Sequence, residues 1–395
     1  MTREVYLDWN ATAPPHPDVL RAMNEAAETA WANPSSVHAA GRRARACIEA
    51  AREAAARLLD VDAHDVVFTS GGTEANNLAL AGAVGLVTSR LEHPSIVRVA
   101  EVMQAAGVPV EWLPVPSSGA VEPEAVSDAL RRLPPRSIVA VMAVNHETGV
   151  IQPVPEVAER AHRAGATLHV DAVQAAGRLP PSVWAGADTL SVAAHKVRGP
   201  KGVGVLVHRP GCPPLPLLRG GSQERGLRPG TLDAVAARGA CTAFERAITG
   251  PARYRRLAGL VARLETALAP VAKLNGAAPR APHVASFSVA GWRGDELCAA
   301  LDLEGIRVAS GSACSAGTSE RSPVIEAMLG RARALSAVRV SLGEDTTEDD
   351  VELALAALLR ILRHRGSERP SSELSSLWDQ APCADETSIP SDRNC

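Results

Sequence analysis

The sequence predicts an α/β protein built on a mostly parallel, seven-stranded sheet, and three observations predict it. As far as about Gly250, short apolar runs alternate with Ala-rich stretches of helical periodicity, the βαβ signature of a sheet covered on both faces. At 395 residues, 46 % of them hydrophobic, the chain can bury a large core. Only 3 % of residues are aromatic, so that core must be made of Ala, Val and Leu.

In chain order, Val66 to Thr69, Gly85 to Ser89, Val108 to Leu113, Ile138 to Val144, Thr167 to Val170, Thr189 to Ala193 and Gly202 to His208 read as the strands. Helices fill most of the intervals. Beyond Gly250 the pattern changes to a helix over Leu257 to Leu268, strands at Val284 to Val289, Arg307 to Ser310 and Val338 to Leu342, and a last helix. That helix opens on Thr347-x-x-Asp350, an approximate capping box, and carries Val351, Leu355, Leu358 and Leu362 on one face as a core stripe. After Arg365 the chain turns to Ser, Pro, Glu and Asp with few apolar residues, the composition of a disordered tail or interaction segment.

Charge and cysteine usage exclude several classes. A net charge of −3 carries neither the basic excess of a nucleic-acid binder nor an acidic tail. The N-terminus lacks a charged-then-apolar leader, and no apolar run reaches the roughly 20 residues of a membrane span. A soluble, unsecreted, cytoplasmic protein is expected. The seven cysteines are scattered without a C-x-x-C pair, which argues against a disulfide framework or zinc site and for a reducing compartment.

The basic residues hold the sharpest signal. Of 41 Lys and Arg, three are lysine: Lys196, Lys201 and Lys273. A guanidinium does not deprotonate and cannot condense with a carbonyl, so a chain this rich in Arg should keep Lys where an amine is required. Lys196, in Ala194-His195-Lys196, follows an apolar strand and falls beyond its carboxyl end, where open α/β sheets bind ligands. That is where a lysine holding pyridoxal phosphate (PLP) belongs; by itself, the stretch also suits a solvated lysine beside a glycine turn.

Four further strand ends join it. Ser70-Gly71-Gly72-Thr73-Glu74 follows a strand and opens a helix, so backbone N–H groups and the Thr73 hydroxyl can cradle a phosphate. Asp171, in His169-Val170-Asp171-Ala172-Val173-Gln174, ends a central strand and can keep a pyridine nitrogen protonated. Asn145 and His93 (in Glu92-His93-Pro94) end two neighbouring strands. Singly, each is equally a helix or strand cap; together they converge on one sheet edge.

Tyr6-Leu7-Asp8-Trp9-Asn10-Ala11-Thr12, Asn33-Pro34-Ser35-Ser36-x-His38, the Ser70 to Asn77 run, Asn145-His146-Glu147-Thr148-Gly149, His169 to Gln174, His195-Lys196, Arg225 to Thr231 and Ser310-Gly311-Ser312-Ala313-Cys314 stand in one order that resembles the NifS/IscS-like cysteine desulfurases of the class V aminotransferase family. The resemblance spans Val5 to Leu362 and implies the fold-type-I architecture of PLP-dependent transferases. It implies a large PLP-binding domain over residues 15–250 and a smaller α/β domain from 1–14 and 251–365 that carries the cysteine loop, with 366–395 as tail. Lys196 would bond the cofactor, Asp171 would hold its pyridine nitrogen, and Gln174 and Asn145 would lie near its ring oxygen. His93 would stack on the ring and assist proton transfer, while Gly72, Thr73 and His195 would hold the phosphate. Thr231 would reach the phosphate of the partner subunit, which implies a homodimer with shared sites. Arg339, with Asn145 beside it, would grip the substrate carboxylate, a bidentate task suited to guanidinium.

The implied reaction takes L-cysteine to L-alanine and leaves sulfur on Cys314 as a persulfide for an acceptor protein, an iron–sulfur scaffold or a thiolation enzyme. No resident metal is expected, although Cys314 allows transient ligation of an iron–sulfur cluster as cargo. Removing sulfur requires an attacking thiolate, which must be accessible. Cys314 lies among Gly, Ser and Ala, whereas Cys47, Cys241 and Cys298 sit in helical patterns as small core residues, Cys212 lies in a turn, and Cys383 and Cys395 are in the tail. Two positions depart from the family pattern. Ala193 replaces a phosphate-binding hydroxyl, and His146 stands where a second Asn is common. Selenocysteine lyase or another β-elimination activity needs no cysteine and is the alternative within the cofactor class; a PLP-binding protein with decayed catalysis is the one outside it.

Overall fold

The computed structural model describes residues 3–212, 214–311 and 321–366. Among these residues the strands form three sheets, and they are numbered here along the chain. The largest sheet has seven strands: β2 (Val66–Thr69), β3 (Leu86–Ser89), β4 (Val110–Leu113), β5 (Ile138–Met142), β6 (Thr167–Asp171), β7 (Thr189–Ala193) and β8 (Gly204–His208), in spatial order 2-8-7-6-5-3-4. These are the seven expected runs, most trimmed or extended by a residue or two at one end. Only β8 runs against its neighbours β2 and β7; the remaining pairs are parallel. The carboxyl ends of β2, β3, β5, β6 and β7 therefore emerge on one edge. Register reinforces this alignment, since Met142, Asp171 and Ser191 are neighbours across β5, β6 and β7.

β1 (Val5–Tyr6) pairs with β11 (Ile306–Arg307), so the N-terminus joins a segment three hundred places away in the chain. β9 (Lys273–Leu274), β10 (Val284–Ser288) and β12 (Ala337–Ser341) make an antiparallel sheet in the order 12-10-9. The short strands β1 and β9 were not anticipated, because two residues carry too little alternation to register as a period.

Two large apolar cores and two smaller clusters result among the described residues. One surrounds the large sheet and is built from the Ala-rich faces of helices Ala39–Leu59 and Ala234–Ala247 against Val and Leu of the strands. Small side chains allow those helices close approach, as the low aromatic content foretold. The other gathers Val5 and Leu7 with Leu257, Leu260, Leu264, Phe287, Val338 and Val340. The stripe Val351, Leu355, Leu358 and Leu362 is buried in it. The capping box at the head of that last helix is real: Thr347 N–H donates to Asp350 Oδ2 at 2.9 Å and Asp350 N–H to Thr347 Oγ1 at 3.2 Å. Cys241 is buried, while Cys47, Cys298 and Cys212 are partly so. The expected tail beyond Gly366 lies outside the described residues.

Candidate active site

The five strand ends meet at a cavity of about 220 Å³ lined by residues from each of the loops they feed. Of the sequence-predicted residues, Gly72, Thr73, His93, Asp171, Gln174, His195, Lys196 and Arg339 line it. Thr231 is exposed and outside the lining. Asn145, expected beside a ring oxygen and the substrate, is fully buried. Its amide donates to Leu91 O at 2.9 Å and accepts from the Glu147 and Thr148 N–H groups at 3.0 and 2.9 Å, so the side chain shapes the loop that presents His146. Cys314 lies outside the described residues. On either side of that interval stand Gly311, where a Cβ would come within 3.8 Å of Glu147 Oε2, and Ser322, whose hydroxyl donates to the same oxygen.

Lys196 is the only lysine of the three at the cavity; Lys201 and Lys273 are exposed. Its ammonium donates to the backbone carbonyls of Asn10 and Ala11, the latter at 2.8 Å. Burial, then the guanidinium charges of Arg178 and Arg339, push its pKa down to about 7, against the partial opposition of Asp171 and Asp8. A neutral amine is thus accessible near neutral pH, as attack on an aldehyde demands.

One part of the cavity wall is built for an anion. Helix Gly72–Leu80 begins at the cavity, and a Cβ on Gly72 would lie 2.7 Å from Val173 Cγ2, so the bare backbone is required for this close approach. Its first amides and positive end face the space. His195 bonds Thr12 Oγ1 at 3.1 Å through Nδ1, and burial together with Lys196 pushes its pKa down to about 4.

Asp171 is 6 % exposed and accepts from Val173 N–H at 3.0 Å and from Asn76 Nδ2 at 2.8 Å. The His93 ring meets that of His146 edge-on, with centroids 5.4 Å apart, and burial, with smaller help from His146, pushes the His93 pKa down to about 4. Arg339 donates to Asp8 Oδ1 at 2.6 Å and His146 O at 3.0 Å, while its buried Nε has no hydrogen-bond partner among the described residues.

A phosphorylated pyridine aldehyde fits this donor set: amides for the phosphate, an amine of lowered pKa for the aldehyde, a buried carboxylate for the ring nitrogen. Among the described residues no group of three or more His, Cys, Asp or Glu could hold a metal ion, and no helix is long and apolar enough to cross a membrane. Residues that sequence reasoning did not single out complete the site. Asn10 and Ala11 receive Lys196, Asn76 holds Asp171, and Arg178 braces the lysine loop by donating to Lys196 O at 2.9 Å. Apart from Asn10, Ala11 and Asn76 falling inside motifs already noted, nothing local marks them, since their partners lie 95 residues or more away in three of these four contacts.

The aminotransferase class-V family matches residues 5–354. The chain is 37 % identical over 378 residues to cysteine desulfurase IscS of Dictyoglomus turgidum, covering 92 % of this chain and 95 % of that one. Among solved structures, a NifS-like protein superposes with a TM-score of 0.83 at 32 % identity, covering 92 % of this chain and all of the other. SspA in complex with cysteine superposes with a TM-score of 0.75 at 27 % identity over 87 % of this chain and all of that one.

Two expectations follow. An aldehyde is captured by the neutral amine, so the rate at which apoprotein binds PLP covalently should rise with pH through a midpoint near 7. Stopped-flow reconstitution across pH reads this, and a midpoint left in the ordinary lysine range would refute the described environment. Ala193 lines the cavity, its Cβ 3.9 Å from where a Gly72 Cβ would stand, beside the first turn of the anion-binding helix. A193S should therefore add one hydrogen bond to a charged phosphate, worth about 1.5 to 3 kcal/mol where the hydroxyl reaches it, and slow PLP loss on dialysis. Loss as fast as from the parent would show that the hydroxyl does not reach.

Proposed function

The chain belongs to the class V aminotransferase family, among its cysteine desulfurases, and from that premise we propose that this cavity is where L-cysteine gives up its sulfur to Cys314. The observation that carries the reading is the joint placement of Lys196, Asp171 and Arg339 around one cavity whose anion-binding end is a helix N-terminus. L-cysteine and the enzyme thiol become L-alanine and an enzyme persulfide; the substrate C–S bond breaks, an S–S bond forms, and the β-carbon gains a proton. PLP, when bound, supplies an electron sink for the bond changes at the substrate carbons.

The chain's own groups have distinct tasks. Lys196 holds the cofactor and, once displaced, its amine can take the α-proton, for which a pKa near 7 is suitable. Asp171 would keep the cofactor's pyridine nitrogen charged, Gly72, Thr73 and His195 would hold its phosphate, and Gln174 would stand by its ring. Arg339, whose terminal nitrogens already donate to His146 O and Asp8, offers its unpartnered Nε and its charge to the substrate carboxylate. Cys314 approaches from an interval whose two flanks, Gly311 and Ser322, stand at Glu147, next to the cavity-lining His146. Residues 15–250 serve as the large domain and 1–14 with 251–365 as the smaller. The working unit is a cytoplasmic homodimer in which Thr231, exposed in one subunit, completes the phosphate site of the other. Its sulfur passes to an iron–sulfur scaffold or thiolation enzyme.

C314S should still bind L-cysteine, seen as a change in cofactor absorbance, but release no alanine, whereas the parent should carry one added sulfur on Cys314 by mass. Turnover of L-cysteine by C314S at the parent rate would exclude the mechanism. For the shared site, mixing inactive K196A with inactive Thr231→Ala should restore part of the activity through subunit exchange; a fully active monomer in sedimentation would remove it.

A further inference from the structure

Beneath the cavity runs a chain of hydrogen bonds whose donors and acceptors can be assigned once one end is known. That end is Asp171, both of whose oxygens accept, one from Val173 N–H and one from Asn76 at 2.8 Å. A carboxylate cannot donate, so the Asn76 atom facing it is the amide nitrogen. The second amide hydrogen goes to Ser95 Oγ at 2.8 Å, leaving Asn76 Oδ1 to accept from His169 Nε2 at 3.0 Å. His169 therefore carries its proton on Nε2, and its Nδ1 accepts from the Thr189 hydroxyl at 2.8 Å.

The chain reaches His93. Ser95 N–H, in the first turn of the helix that His93 caps, donates to His93 Nδ1 at 3.2 Å. Nδ1 accepts that bond and so bears no hydrogen, which makes the Ser95 hydroxyl, 2.8 Å away, a second donor to it. Two donors converge on Nδ1, and a neutral ring must then keep its proton on Nε2. Burial depresses both His93 and His169 to about 4, which keeps them neutral in the working range. Asn76, Ser95, His169, Asp171 and Thr189 are 0 to 7 % exposed, so water does not compete for these bonds.

We propose that Asn76, oriented by His169 and Thr189, is a positioning residue that serves both sides of the cofactor site at once. One of its N–H groups holds the Asp171 carboxylate. The other, by way of Ser95, sets His93 as the Nε2–H tautomer, so that His93 meets a bound molecule as a hydrogen-bond donor and not as a base. The isolated roles of Asp171 and His93 become one coupled unit: swinging the Asn76 amide would disturb the ring nitrogen's partner and the stacking imidazole together. This inference rests on the reading of the cavity as the PLP site.

The test uses holoenzyme labelled with 15N-histidine, the His93 ring signals being identified by their loss in H93Q. In the parent, His93 should show an unprotonated Nδ1 and a protonated Nε2. S95A removes the hydroxyl that links Asn76 to His93 but keeps the backbone N–H on Nδ1, so Nε2 should stay protonated and the Nδ1 signal should move by the loss of one of its two donors, while the pH midpoint of the visible cofactor band stays in place. N76D, of nearly equal size, replaces both donors by an acceptor. It should change the His93 signals and also move the band midpoint by about one pH unit, tenfold in proton affinity. The titration is read against His146, Asp171, Lys196 and Glu147 around His93 and against Glu92, Lys196 and His169 around Asp171, none of them altered in either variant. A parent His93 protonated on Nδ1 would overturn the proposal, as would an N76D that lowers only thermal stability and leaves both spectra unchanged. A parent without any visible band would instead defeat the cofactor reading, and the ring-nitrogen pattern would still decide the tautomer.

Discussion

One buried guanidinium holds together the parts of the chain that meet at the cavity. Arg178 is 1 % exposed and donates to Asn10 Oδ1 at 3.0 Å, Gln174 Oε1, Trp9 O at 3.2 Å and Lys196 O at 2.9 Å. Its Nη1 lies 3.3 Å from His283 Nε2, and its charge sits 5.7 Å from the centre of the Tyr254 ring. The N-terminal segment, the loop after β6, the lysine loop and two residues near the second core are thereby tied to one group. No carboxylate stands among these partners, so carbonyl dipoles and the Tyr254 ring carry the solvation of the charge. The cost of that arrangement is useful, because an incompletely neutralised charge beside Lys196 is the second cause, after burial, of its lowered pKa.

A second tie runs along the outer side of the same loop. Arg198 donates to Glu344 at 2.7 Å and Asp345 at 2.9 Å, and Arg253 donates to Glu344 at 2.6 Å. Burial pushes the Glu344 carboxyl up, but its bonds to the two arginines outweigh that and hold it below the usual range. The Arg198 side chain is 9 % exposed and that of Glu344 7 %, and each keeps a second charged partner, Asp345 for Arg198 and Arg253 for Glu344, so the group is a buried network and not a single pair. The lysine is held from the inside by Arg178 and from the outside by Arg198, which explains how a short irregular turn after a strand can keep one amine aimed at a cavity.

Much of the site could be read locally because the fold places chemistry at strand ends. Asp171, His93 and Lys196 each follow an apolar run, and a parallel sheet brings the carboxyl ends of such runs to one edge whatever the details of packing. The scarcity of lysine in an arginine-rich chain singled out Lys196 for a chemical reason, and the structure puts it, alone among the three, at the cavity. Asn145 shows the limit of the same logic: its place at a strand end was legible, but its side chain turns away to close a loop, a choice made by the Thr148 and Glu147 amides next to it.

Periodicity, capping and composition by themselves determined the seven strands of the large sheet, the Ala-rich helices, the last amphipathic helix and the set of polar strand ends, because each depends on residues within about ten positions of one another. Tertiary structure decided the rest. Whether Asn76 meets Asp171, which amide atom it turns to it, and how far the Lys196 pKa falls all depend on groups from distant segments enclosed in one water-poor space. The β1 to β11 pairing and the Asn10 to Arg178 bond are of the same kind. Such contacts leave no trace in a local pattern, since each partner is an unremarkable polar residue until folding removes the water that would otherwise satisfy it.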